Sequence, residues 1–173
     1  GIRWTPGQFD QLRSRLVLTK GVTKLTEDLV ISGTIPNEEA YPPTEQFYTK
    51  GENDSLSVDP MEHEQFLVVR QRKEDGTSKG IYIFSGCSHK GVVPILHYAK
   101  TLFPGEKICG LIGGLHLYNA SKEVRQKVIQ EVLDANIEWV MPVHCTGIEA
   151  ICELKSKLGE QCRVVGAGDS FEF

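Results

Sequence analysis

Residues 81–103, IYIFSGCSHKGVVPILHYAKTLF, set the pattern for the chain. Residues 81–84 are β-rich. They lead through the glycine-bracketed loop SGCSHKG into a segment where Val92, Ile95, Leu96, Ala99, Leu102 and Phe103 recur at helical spacing. The same order returns twice. Residues 108–112 lead through GGLHLYN to a predicted helix over about 122–135, with Val124, Val128, Val132 and Leu133 as its apolar stripe and Ser121 as its N-cap. Residues 139–141 lead through PVHCTG to a predicted helix over about 148–158, and Thr146 and Glu149 stand at the spacing of a capping box. Alternating strand, loop and helix predicts an α/β or mixed α+β domain. The three units share an organisation without forming a sequence repeat.

Working outward, residues 66–69 read as a strand, and Glu74, Asp75, Gly76 and Thr77 form a hairpin signal before residue 81. Residues 29–35 read as another strand. Residues 36–60, rich in Pro, Gly, Asn, Asp and Glu, read as one long loop of the kind that often carries function. Phe9, Leu12 and Leu16 define a short helical face after Pro6 and Gly7, and residues 163–165 read as a last strand. The chain therefore divides into an irregular stretch, 1–65, and a sheet-and-helix part, 66–173.

Composition narrows the function classes. The 173 residues carry a formal net charge of −4 and no basic block, so nucleic-acid binding has no electrostatic support. No apolar run approaches the roughly 18 residues that span a bilayer, and no signal-peptide pattern opens the chain. The five cysteines, at 87, 109, 145, 152 and 162, are odd in number and include no CxxC pair. That argues against a disulfide scaffold and for a reducing cytoplasm.

Three of the five histidines, His89, His116 and His144, each follow a strand and precede a helix in a glycine-rich loop. Loops beyond the carboxyl ends of strands are where open α/β sheets bind ligands, and imidazole is a common ligand for zinc-like metals. A single such histidine is ordinarily a structural hydrogen-bonding residue; three in equivalent places point to a shared metal or catalytic site. His97, inside an amphipathic segment, reads as a packed or surface residue, and His63 as a surface residue. Cys87 and Cys145 flank two of the three histidines, so their thiols have the chemistry of a Cys/His metal site. Their spacing fits no zinc finger, and small buried side chains are the expectation. Ser88 lacks a nucleophile elbow, and GAGD near the C terminus is too short to be a dinucleotide fingerprint.

Taken together and in this order, SGCSHKG, IGGLHL and PVHCTG resemble a branch of the metallo-β-lactamase-fold superfamily. That branch is named 7,8-dihydropterin-6-yl-methyl-4-(β-D-ribofuranosyl)aminobenzene-5′-phosphate synthase. RLVLTKGVTKLTEDLVISGTIP and DPMEHEQFLVV resemble its middle segment, so the likeness covers nearly the whole chain. The resemblance implies the C-terminal part of an αββα sandwich, with 1–65 from the middle of the family domain and 66–173 its C-terminal half. It implies zinc or a similar divalent metal, two ions in the intact protein, held where the loops of both halves meet. By position, His89 and His144 match metal ligands. His116 falls near the family's bridging aspartate, where this chain has GGLH, and is expected to contact substrate or to serve as a ligand.

The family's HxHxDH motif does not occur in the chain. The expectation is a hydrolase part that acts on a small-molecule ester or phosphate through metal-activated water. It is expected to be inactive without an N-terminal half or a second chain that supplies the remaining ligands. The competing expectation is a metal-free binding or scaffold protein that keeps the fold. A redox module has little support, because no flavin domain is encoded.

Overall fold

The hairpin signal at Asp75 forms as read. Asp75 Oδ1 accepts the Thr77 N–H at 2.9 Å, Gly76 adopts φ 81°, and the chain reverses there. The computed structural model describes residues 5–172. The two arms are β5 (Phe66–Arg72) and β6 (Ser78–Ser85), paired antiparallel. From β6 the chain crosses through α2 (Val92–Leu102) to β7 (Ile108–Gly114), and through α3 (Lys122–Asp134) to β8 (Trp139–Val143) and α4 (Ile148–Leu158). Both strand pairs are parallel, which is what requires a long crossover, here a helix, between their ends.

Upstream lie α1 (Pro6–Arg13), β1 (Thr23–Lys24), β2 (Leu29–Ile31), β3 (Tyr48–Lys50) and β4 (Leu56–Val58). β1 and β2 extend the main sheet, whose order is β1-β2-β5-β6-β7-β8. The hairpin β3–β4 stands apart, inside the stretch that reads as loop in the sequence. Its strands are three residues each and exposed throughout, too short for an alternation such as Leu56-Ser57-Val58 to stand out in the sequence.

One face of the sheet is core. Val30, Val68, Ile83, Leu111 and Val140 stand in register across five strands. They share a cluster with Val92, Ile95, Leu96 and Ala99 of α2, Ile129 and Val132 of α3, and Ala150 and Leu154 of α4. Burying each valine, leucine or isoleucine among them contributes about 1.5–3 kcal/mol. The opposite row, Ile31, Leu67, Phe84, Ile112 and Met141, is also apolar. Phe84 there is 38% exposed, and Ile31, Leu67 and Ile112 are half-buried. The C-terminal residues cover only one end of this face: Arg163 stacks over Trp139 at 3.7 Å, and Val165 and Phe171 border a hollow shared with Phe84, Ile112 and Met141. Residues 163–165 do not form the strand read from the sequence. Just before them Cys162 makes an isolated bridge to Val140, and the Arg163 N–H donates to Val140 O at 2.9 Å.

Ser121 caps α3 as expected, its hydroxyl accepting the Val124 N–H. The capping box read at Thr146 does not form. Gly147 is the N-cap of α4, and the buried Thr146 hydroxyl instead accepts the Leu115 N–H at 3.0 Å and donates to Val143 O at 2.8 Å. Among the described residues no helix is long and apolar enough to cross a membrane.

Candidate metal centre

Three parallel-side strands end side by side, and each delivers one histidine. β7 lies between β6 and β8 and ends in Gly113 and Gly114. A Cβ on Gly113 would stand 2.2 Å from Ser85 Oγ, and one on Gly114 would stand 2.8 Å from Cys145 Sγ and 3.2 Å from Gly86 O. The bare end of the middle strand thus lets the loops from both neighbours close over it. Gly114 N–H donates to Gly86 O at 2.8 Å, Leu115 N–H to Thr146, and Leu117 N–H to Cys145 O at 3.2 Å, so the three loops are fastened together. Ser88, His116 and His144, one in each loop, all take positive φ: 58°, 47° and 50°. Left-handed backbone at non-glycine residues carries strain that ordinarily collects where function needs a fixed geometry.

The loops bring the histidines into two groups. His89 and His116 meet edge to face with ring centroids 4.6 Å apart, and Phe47 lies over both, at 4.6 and 5.7 Å. His144 is exposed, and its Nδ1 faces Cys87 Sγ at 3.3 Å. Cys87, His144 and Cys145 place one donor atom each within 4.8 Å of one another. His89 stands outside that trio, two residues along the same loop from Cys87. The cysteines, which the sequence left as small buried side chains, are half-buried free thiols at the site.

Two carboxylates from the irregular stretch hold the histidines. Glu64, almost wholly buried, accepts the backbone N–H of His89 and of Lys90 at 2.6 Å each, and its Oε1 lies 3.5 Å from His89 Nδ1. Glu45 receives His116 Nε2 at 3.1 Å and the Tyr118 hydroxyl at 3.0 Å. A ring nitrogen facing a carboxylate carries the proton, which leaves Nδ1 of His116 as the lone-pair nitrogen. That atom is buried and has no hydrogen-bond partner. Burial holds the His89 imidazole below its usual range; Glu64 opposes this and His116 adds to it. A neutral imidazole is the form that ligates metal. Burial pushes the Cys145 thiol up to about 11.

The loop of residues 36–47 drapes over this edge. Its Thr44 hydroxyl donates to His116 O at 2.7 Å, Lys127 donates to Ala40 O, Tyr41 donates to Glu131, and Glu38 pairs with His97. His97 is therefore an anchor for the loop, and His63 takes no part in the histidine groups. Beside Glu45, Phe47 and Lys90 opens a cavity of about 380 Å³, large enough for a small molecule. The donor set of imidazoles and thiols, a lone-pair nitrogen with no partner and a glycine cradle that a Cβ would fill all fit a zinc-like ion.

No family model matches the chain. The crystal structure of Tm1679, a metal-dependent hydrolase of the beta-lactamase superfamily, matches 91% of this chain and 58% of its own with a TM-score of 0.77 and 27% identity. The chain shares its fold with that beta-lactamase-superfamily hydrolase. In sequence it is similar to the 7,8-dihydropterin-6-methyl-4-(beta-D-ribofuranosyl)-aminobenzene-5'-phosphate synthase of Methanocaldococcus jannaschii, 29% identical over 95% of this chain and 55% of that protein. A second protein of that archaeon, described only as uncharacterized, is 30% identical over 76% of this chain and 45% of its own length. The chain spans about half the length of the curated relatives it matches.

Proposed function

We propose that this chain contributes the C-terminal half of a metal-dependent hydrolase acting on a small ester or phosphate-type substrate. The observation that carries this reading is that neighbouring strand-end loops hold two histidine groups at one edge of the sheet: His89 against His116, with carboxylate partners, and His144 beside two thiols. His89 and His144 are the metal donors in this reading, and His116 either joins them or contacts substrate. A bound zinc-like ion supplies a water of lowered pKa and polarises the substrate oxygen. The protein's own part is positional. Glu64 and Glu45 orient His89 and His116, Phe47 shields them from water, and the cavity beside Glu45 receives the substrate. The metal-dependent hydrolase of known structure and the archaeal synthase are both longer proteins than this chain.

The open apolar row of Ile31, Leu67, Phe84 and Ile112 is assigned, in the same reading, to the second half of the fold. That half arrives in the same polypeptide or as a separate chain, and it brings the further ligands. Alone, this chain holds the hydrolytic metal of His89 and His144 weakly and turns over little substrate, because that centre needs the further ligands of the second half. The test is zinc stoichiometry and phosphodiester hydrolysis, measured for this chain and for the chain joined to the remaining length of its relatives. Activity in the joined protein and its loss with His144→Ala support the reading. Two tightly held ions and full turnover in this chain alone would sink it.

A further inference from the structure

We propose that Cys87, His144 and Cys145 form a thiolate site for one soft divalent ion, zinc or cadmium, with a fourth position open. It shares His144 with the reading above but does not need His89.

The case is geometric first. A tetrahedral ion with sulfurs at about 2.3 Å and nitrogen at about 2.0–2.1 Å sets its donors roughly 3.8 Å apart for sulfur to sulfur and roughly 3.6 Å for sulfur to nitrogen. Cys87 Sγ and His144 Nδ1 already lie 3.3 Å apart, and the whole trio fits within 4.8 Å. Closing on an ion therefore takes side-chain shifts of about 1 Å or less. The second argument is the cradle. Cys145 Sγ rests against Gly114, where any Cβ would intrude to 2.8 Å, so the end of β7 is shaped to admit that sulfur. The third is the backbone. His144 holds φ 50°, and the carbonyl of Cys145 accepts the N–H groups of Leu117 and Tyr118, so both donors sit on a fixed turn.

Donor chemistry sets the ligand class. Two thiolates and an imidazole select zinc, cadmium or other soft ions over magnesium or calcium. Three protein donors with one open position is the arrangement of sites that bind water or substrate at the metal. Without metal the thiols are satisfied otherwise: Cys145 Sγ donates to Cys87 O at 3.4 Å, and Cys87 Sγ faces the imidazole. Loading replaces two thiol protons by one ion.

The experiment uses the full chain, kept reduced with a phosphine, titrated anaerobically with Co²⁺ and followed by thiolate-to-cobalt charge-transfer absorption. Zn²⁺ and Cd²⁺ are then added as competitors. The expected result is one equivalent bound with a charge-transfer band that survives His89→Ala. Affinity should fall roughly tenfold or more in Cys87→Ser, Cys145→Ser or His144→Ala, and the band should vanish in the double cysteine variant. Circular dichroism melts of each variant, and Cys87→Ala as a smaller change, separate loss of ligand from loss of fold. Cobalt bound without a charge-transfer band, or binding lost with His89→Ala but kept in the double cysteine variant, would overturn the proposal. The second of these would leave the histidine-based hydrolase reading intact. Recovery of a Cys87–Cys145 disulfide from the freshly purified, unreduced protein, with no metal bound after reduction, would also overturn it.

Discussion

Glu64 reaches from the irregular part of the chain to His89, its two oxygens accepting the backbone N–H groups of residues 89 and 90 at 2.6 Å while Oε1 lies 3.5 Å from the imidazole Nδ1. A glutamine in its place offers one acceptor and turns an N–H toward a donor. Glu64→Gln is expected to lose about 1.5–3 kcal/mol, the worth of hydrogen bonds to a charged group. The loss is read as a lower melting temperature, with His89 resonances broadened in NMR spectra. An unchanged melt and unchanged His89 signals would remove Glu64 as the residue that positions that loop.

Thr146 makes a different prediction. Its buried hydroxyl ties the loop after β7 to the loop after β8. Thr146→Val keeps the shape and leaves the Leu115 N–H without an acceptor, a change of about 1–3 kcal/mol. Thr146→Ser should restore most of it. Thermal melts of the three proteins decide the matter, and equal stability of the valine and serine forms would contradict it.

These two carboxylate and hydroxyl roles were not legible in the sequence, and the reasons are physical. The strands and helices from residue 66 onward announced themselves through periodicity, and the three strand-end histidines stood out by position and glycine context. Glu45 and Glu64 lie in segments with no period, so nothing local marks them as partners of His116 and His89. The acidic cluster around His63 was the one available signal, and it points at the neighbouring residue. Cys87 and Cys145 are 58 residues apart and meet only because β6 and β8 flank the bare end of β7. Thr146 had the spacing of a cap, but a hydroxyl has one proton and few lone pairs, and the neighbouring loop claimed them.

His116 gives a spectroscopic prediction. With Nε2 facing Glu45, the neutral ring should be the Nε2–H tautomer, with Nδ1 unprotonated. Nitrogen NMR of selectively labelled protein reads this directly. Glu45→Gln should weaken the preference, and Tyr118→Phe should weaken it less, since Tyr118 acts through Glu45. An Nδ1–H tautomer in the unaltered protein would contradict the assignment of Nδ1 as the free donor.

The pH dependence of the metal-free protein follows from His89. Its pKa in the fold is lowered, by burial first. The unfolded chain therefore binds more protons than the folded one between the lowered value and about 6.5. Stability from this group is fully present above about pH 6.5 and is lost as pH falls through the folded value. Denaturant midpoints measured from pH 7.5 down to 5 should decline, and His89→Gln should flatten the part of the decline that His89 causes. A parallel curve in the variant would show that other groups dominate.

The central claim is that His89 and His144 hold metal for hydrolysis at the strand ends, and it is tested most directly by metal content paired with turnover. The protein extended to the length of its relatives is purified with zinc, and bound metal and phosphodiester hydrolysis are measured for it, for His89→Ala and for His144→Ala. The account predicts one or two ions per chain in the parent, and in each variant a lower metal content together with a rate loss of roughly a hundredfold or more. Full metal content and full activity in both variants would contradict it.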